Sequence, residues 1–131
     1  MSGRGMPRRS LPKNELAQGA IVLIDFSFSD LKRSKYRPAL VLSNSSYNSR
    51  SLDIVVLRIT SRPKIEWAIK ITNEDVESGF LEVESYVKVD SIFTVEKTMV
   101  VKVVAQLNAE KLGAVKLKLM ELFDSVKLRA R

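Results

Sequence analysis

Between Ala20 and Gln106 the apolar residues arrive in short runs and alternations, and only after Asn108 do they switch to helical spacing. That switch restricts the chain to several strands followed by one helix. Ala20 to Phe28 begins as a continuous apolar run and ends in alternation, as a buried strand leading to a rim does. Ala39 to Leu42 reads as a second strand entered through Arg37-Pro38, where proline imposes extended backbone and offers no donor to a ladder. Ser43 to Ser51 reads as a loop on composition, and Asp53 to Ile59 as a third strand. Ile65, Trp67, Ile69 and Ile71 alternate with Glu66, Ala68 and Lys70, which predicts a half-exposed antiparallel strand with Trp67 as a core or dimer contact. Ser78-Gly79 reads as a turn. Leu81 to Val89 and Met99 to Gln106 read as further strands, with a short helical or looped connection around Asp90 to Thr98. Asn108 is a good N-cap, and Leu112, Val115, Leu119, Leu122 or Phe123, and Val126 follow at helical spacing, predicting one amphipathic helix from 109 to about 127. Strands closed by a helix, without alternating strand-helix units, imply an α+β fold built on a small antiparallel barrel or twisted sheet.

The 131 residues are enough for one domain with its own core, expected over residues 17–131. The longest apolar runs, Ala20 to Ile24 and Ile54 to Leu57, fall far short of the roughly 18 residues of a membrane span. The N-terminus lacks the apolar stretch of a secretory signal, so a soluble, cytoplasmic protein is expected. With no Cys and no His, the chain has no zinc finger, iron-sulfur ligands, disulfide, Cys nucleophile or imidazole-based triad. Catalysis would have to run on Arg, Lys, Asp, Glu, Ser, Thr or Tyr. Gly5 and Gly113 form no phosphate-binding pattern, so no nucleotide cofactor is expected.

Charge is distributed unevenly. Lys and Arg total 22 against 15 Asp and Glu, a net charge of +7. Residues 1–16, with Arg4, Arg8, Arg9 and Lys13 among Gly, Pro and Ser, read as a flexible basic arm. Asp30 to Arg37 sets Lys32, Arg33, Lys35 and Arg37 against a single acid, whereas Glu74 to Glu84 carries five acids and no base. Localised positive charge favours a phosphate-rich or acidic partner and makes binding salt-dependent, although charged loops are also commonly just solvated.

Taken in order, GAIVLIDFSFSDLKRSKYRPALVLSN (19 to 44), DIVVLRITS (53 to 61) and SYVKVDSIFTVEKTMVVKVVAQLNAEKL (85 to 112) resemble the PemK/MazF family of toxin endoribonucleases. The shared features are a first strand ending in an aromatic-polar rim, a loop closing on Arg-Pro, an apolar strand ending in Ile-Thr-Ser, and a terminal helix. The resemblance implies a barrel of the CcdB/PemK type, a homodimer, metal-independent cleavage of single-stranded RNA, and inhibition by a cognate acidic antitoxin. By position, it puts the family's catalytic arginine on Arg37 and its strand-end hydroxyl on Thr60, with Ser61 beside it. Family members commonly carry Gly-Ser-Glu and then glycine in the first loop, where this chain has Ser-Asp-Leu-Lys-Arg-Ser-Lys-Tyr.

RNA cleaves itself when a 2'-hydroxyl attacks the adjacent phosphorus, leaving a 2',3'-cyclic phosphate and a 5'-hydroxyl. Arg37 suits stabilisation of the added charge, because guanidinium offers a planar, permanently charged fork to two phosphate oxygens. Thr60 and Ser61 can bond a phosphate oxygen where their strand leaves the sheet, or can simply bond their own backbone. Asp25 and Asp30 are the nearest acids in sequence, able to act as base or to orient Arg37. Tyr36 and Tyr47 can stack on unpaired bases or pack on the barrel, with Tyr47 in the Ser/Asn stretch placed to read base edges. Lys32, Arg33 and Lys35 would guide the RNA backbone by charge. Two other classes fit the same fold: a non-catalytic, CcdB-like toxin that binds a protein target, and an RNA-binding barrel without turnover.

Overall fold

The computed structural model describes residues 16–26, 35–63 and 66–125. Among the described residues seven strands form one antiparallel sheet, and the element order is β1 (Ala20–Asp25), β2 (Tyr36–Val41), α1 (Ser45–Arg50), β3 (Asp53–Thr60), β4 (Ala68–Ile71), β5 (Val76–Gly79), β6 (Ser85–Glu96), β7 (Val100–Leu107) and α2 (Ala109–Phe123). Across the sheet the order is β4-β6-β3-β2-β1-β7-β5. The sheet curls into a half-barrel completed by the C-terminal helix, the α+β architecture expected of the pattern.

Alternation sends side chains to two cores. On one side Ile21, Leu40, Leu57, Ile59, Val87 and Val89 pack with Val115 of α2, and Leu112 and Leu119 cover them. On the other side Val22, Ile24, Ala39, Val41, Ile54 and Val56 pack with Leu16, Val95 and Val100, flanked by Phe26, Phe93 and Met99. Each fully buried aliphatic side chain contributes about 1.5–3 kcal/mol. Leu16 is completely buried, so the fold already includes the last residue of the expected arm, and residues 1–15 lie outside the described residues.

The helix begins as its N-cap predicts, with the Asn108 side chain accepting from the Lys111 amide at 2.8 Å, and it ends at Phe123 instead of continuing to 127. Four other expectations are corrected. The second strand starts at Tyr36, with Pro38 inside it opposite Leu23, because pairing to β3 begins only at Ala39 and no ladder bond there asks for the missing amide proton. The Ser/Asn stretch is a short helix, α1, capped by Asn44, whose side chain accepts from the Tyr47 amide. The Ser78-Gly79 turn is part of edge strand β5. Gly79 has φ +80°, and a Cβ there would lie 2.2 Å from the Val104 carbonyl oxygen, so only glycine allows this approach to β7. The strand expected over Leu81 to Val89 starts only at Ser85 and continues to Glu96, through most of the connection expected around Asp90 to Thr98. The pairing steps from Arg58↔Lys88 to Leu57↔Ile92, so Val89, Asp90 and Ser91 have no partner in β3 and the polar residues are accommodated as a bulge.

Strand β4 is an edge strand paired only with β6, and Trp67, Ile69 and Ile71 do face the core beneath α2; Ile65 lies outside the described residues. Trp67 itself precedes the strand with φ 54°, its carbonyl accepting from the Val89 amide and its ring lying 5.2 Å from Lys118 Nζ. Its place is therefore in the core, under the helix. Among the described residues no helix is long and apolar enough to cross a membrane.

Candidate functional site

Arg37 and Arg58 owe their position to register. In β2, residues 37, 39 and 41 share a face; in β3, residues 54, 56 and 58 do. Ala39, Val41, Ile54 and Val56 are buried together, so the two arginines are the solvent end of one stripe. Ala39 pairs with Arg58, which makes Arg37 its diagonal neighbour, a relation that spans about 7–8 Å between backbones and is within reach of long side chains. Lys88 of β6 is the direct cross-strand partner of Arg58.

These residues line a cleft of ≈ 640 Å³ together with Pro38, Ile59, Thr60, Ser61, Arg62, Val83 and Ser85. Four cations and three hydroxyls converge there, and no carboxylate is among the described residues lining it. Lys88 is held by Asp90 at 3.4 Å, which leaves the three guanidinium groups as the dominant positive charge of the lining. Thr60 closes the strand: its Oγ1 accepts from the Arg62 amide at 3.1 Å, a tight local turn that carries Arg62 round to the cleft. Thr60 thus makes the local bond expected of a strand-end hydroxyl while lining the cleft, and its O–H proton is still able to donate.

The cleft unites Arg37, Thr60 and Ser61. Tyr36 is exposed at the start of β2, where alternation turns it to the face opposite Arg37, and Tyr47 is exposed on α1; neither lines the cleft. Lys35 precedes β2, its carbonyl accepting from the Phe26 amide, and also stands outside the lining. Asp30, Lys32 and Arg33 lie outside the described residues. Asp25 borders a different hollow of ≈ 630 Å³, with Asp53, Glu96, Phe26, Phe93 and Met99. Arg58, Arg62, Lys88 and Ser85 are cleft residues that the sequence did not single out. For Arg58 a signal was present, since it is the one charge inside the apolar run of Ile54 to Ile59.

Asn48 and Ser43 build part of the Ser/Asn stretch into the scaffold. Asn48 is fully buried, its Nδ2 donating to the carbonyls of Leu16 (3.0 Å) and Ser43 (2.9 Å) while its Oδ1 accepts from the Ser43 hydroxyl. The Ser43 hydroxyl oxygen in turn accepts from the Val55 amide, and Lys97 Nζ donates to the Asn48 carbonyl. This network ties the chain before β1, the end of β2, β3 and the turn after β6 into one unit.

A family model described as PemK-like, MazF-like toxin of type II toxin-antitoxin system matches residues 17–123. No curated protein matches the chain. Among solved structures, the fold is similar to a MazE-MazF complex from Deinococcus radiodurans, at TM-score 0.69 and 24% identity over 83% of this chain and 96% of that one. It is similar also to an endoribonuclease from a mycobacterial species in complex with its cognate antitoxin, at TM-score 0.66 and 19% identity over 82% and 94% of the two chains. The Mycobacterium tuberculosis toxin MazF-mt6 superposes at TM-score 0.66 and 18% identity, over 80% of this chain and 96% of that one.

Proposed function

Because the chain belongs to the PemK-like, MazF-like toxin family, we propose that it is an endoribonuclease toxin that holds single-stranded RNA, cellular mRNA in particular, in the cleft of Arg37, Arg58 and Arg62. The observation that carries this reading is a cleft with three guanidinium groups, three hydroxyls and no lining carboxylate among the described residues. Such a surface attracts a phosphodiester and repels nothing on it. The solved endoribonuclease with the same fold supports the reaction class, and its complex with an antitoxin supports the regulatory partner.

In the proposed reaction the ribose 2'-oxygen bonds to phosphorus as the bond from phosphorus to the 5'-oxygen breaks. The 2'-hydroxyl proton is lost to water or a phosphate oxygen, and the departing 5'-oxygen takes a proton from water, giving a 2',3'-cyclic phosphate and a 5'-hydroxyl. Arg37 forks onto the two non-bridging oxygens, where charge grows in the transition state, and Thr60 donates its hydroxyl proton to one of them. Arg62 holds a neighbouring phosphate, and Arg58 adds positive charge to the wall of the cleft. No step draws on a metal ion. An antitoxin segment rich in Asp and Glu would compete for the same arginines, and the toxin domain, residues 17–131, would act in the cytoplasm as a homodimer.

The test is cleavage of a single-stranded RNA in excess EDTA by the wild-type protein and by Arg37→Ala, with the ends of the products identified. Metal-free cutting to cyclic phosphate ends, lost in the variant, is the expected result. Equal cutting by both proteins removes the reaction from this cleft, cutting abolished by EDTA removes the metal-free route, and RNA binding without any cutting turns the reading into that of a binding barrel.

A further inference from the structure

Beside the cleft lies a smaller hollow of ≈ 260 Å³, lined by Phe26, Arg37, Pro38, Arg58, Ser91 and Phe93. Three of these residues, Arg37, Pro38 and Arg58, also line the cleft, so the two spaces share a wall. Phe26 and Phe93 face each other with ring centroids 6.0 Å apart and planes tilted by 55°, and both are packed on the core cluster that holds Ala39 and Val56. Their positions are thus set by the interior. The hollow is smaller than the roughly 300–1,000 Å³ pockets that take drug-sized ligands, so it suits a single planar ring system.

We propose that this slot receives one unpaired guanine adjacent to the phosphate held in the cleft, with Arg58 as the residue that reads it. The inference rests on the reading of the cleft as an RNA site. Three features carry it. The aromatic floor offers a surface on which a base can stack. The polar groups over that floor, the Arg37 and Arg58 guanidinium groups and the Ser91 hydroxyl, are dominated by donors, and no carboxylate among the described residues lines the slot to accept a base amino group. Guanine presents two neighbouring acceptors, O6 and N7, which match one guanidinium fork, whereas adenine sets an amino group beside its N7. Since Arg37 faces the reacting phosphate, Arg58, one strand further along, is the fork available to the base. Ser91 reaches the slot because the bulge at Val89 to Ser91 leaves it without a partner in β3.

The experiment uses the full chain and uridine oligonucleotides carrying a 2'-O-methyl group at every position, which blocks the attacking hydroxyl. One central residue is varied among guanine, adenine, cytosine and uracil, and binding is followed by fluorescence anisotropy. Guanine is expected to bind at least about tenfold more tightly than the other three. Arg58→Lys, which keeps the charge and loses the fork, should bring that preference to within about twofold. Ser91→Ala should reduce it by a smaller factor, and Phe93→Leu should weaken binding of all four oligonucleotides by about tenfold. Urea midpoints of the variants separate these effects from unfolding. Equal affinity for the four bases, or a guanine preference that survives Arg58→Lys, overturns the slot while cleavage of unblocked RNA still stands. Failure of every oligonucleotide to bind, with no cleavage of unblocked RNA, overturns the cleft reading and the slot with it.

Discussion

Replacing Asn48 by alanine tests whether the Ser/Asn stretch is scaffold or substrate reader. Asn48 is 0% exposed, and its carboxamide makes three hydrogen bonds, two as donor to the Leu16 and Ser43 carbonyls and one as acceptor from the Ser43 hydroxyl. At about 1 kcal/mol net for each bond, truncation should cost about 3 kcal/mol, and more if the two carbonyls are left buried without a donor. A loss of that size lowers the melting temperature by on the order of 10 °C in a domain of this length. Urea unfolding followed by far-ultraviolet circular dichroism measures it directly. Asn48→Asp separates hydrogen bonding from volume: it keeps the acceptor for Ser43 but sets an oxygen against two carbonyl oxygens, so it should destabilise at least as much at neutral pH. Ser49→Ala, in the same helix but with an exposed hydroxyl bonded only to the Ser46 carbonyl, should change stability by less than about 0.5 kcal/mol. If Asn48→Ala loses under about 1 kcal/mol, the network does not hold these four segments together and the argument is wrong.

Other perturbations probe the cleft and the sheet edge. Arg37→Ala should slow RNA cleavage by about 100- to 1,000-fold with the urea midpoint unchanged, since the side chain is exposed; a loss under tenfold in single-turnover assays would deny it a role in charge stabilisation. Arg62→Gln should weaken binding of uncleavable single-stranded RNA at low salt and flatten the slope of log K against log salt by about 0.7; an unchanged slope would mean that Arg62 contacts no phosphate. Gly79→Ala should destabilise by about 2 kcal/mol or more, because the new Cβ meets the Val104 carbonyl in a backbone region that alanine avoids, and denaturant unfolding with no shift in midpoint would contradict that geometry.

Most strands and the terminal helix were readable from the chain because each rests on periodicity within a few residues. The N-cap at Asn108 and the alternation of Trp67, Ile69 and Ile71 are local in the same sense. The misread segments are those where partners decide. The stretch from Ser43 to Ser51 has loop composition, yet Asn44 caps a helix and buried Asn48 finds its partners in Leu16, Ser43 and, at its carbonyl, Lys97. Asp90 and Ser91 look like the end of a strand, and they continue it because a bulge lets β6 bend past β3 without losing the ladder on either side. Arg37, Thr60 and Ser61 were identified from their resemblance to a family; their neighbours Arg58 and Lys88 were not, although Arg58 interrupts an apolar run.

What the chain determines by itself is therefore the supply of parts: which faces are apolar, where the helix starts, and that any chemistry must use arginine, lysine, hydroxyl and carboxylate groups, because no histidine or cysteine is present. Tertiary structure decides which of those parts meet. Arg37, Arg58 and Lys88 lie far apart in sequence and become neighbours only through the registers β2 to β3 and β3 to β6. The physical reason is that alternation is a property of a single strand, whereas register is chosen by burying Ala39, Val41, Ile54 and Val56 together, and a shift of one residue would turn both arginines to the opposite face.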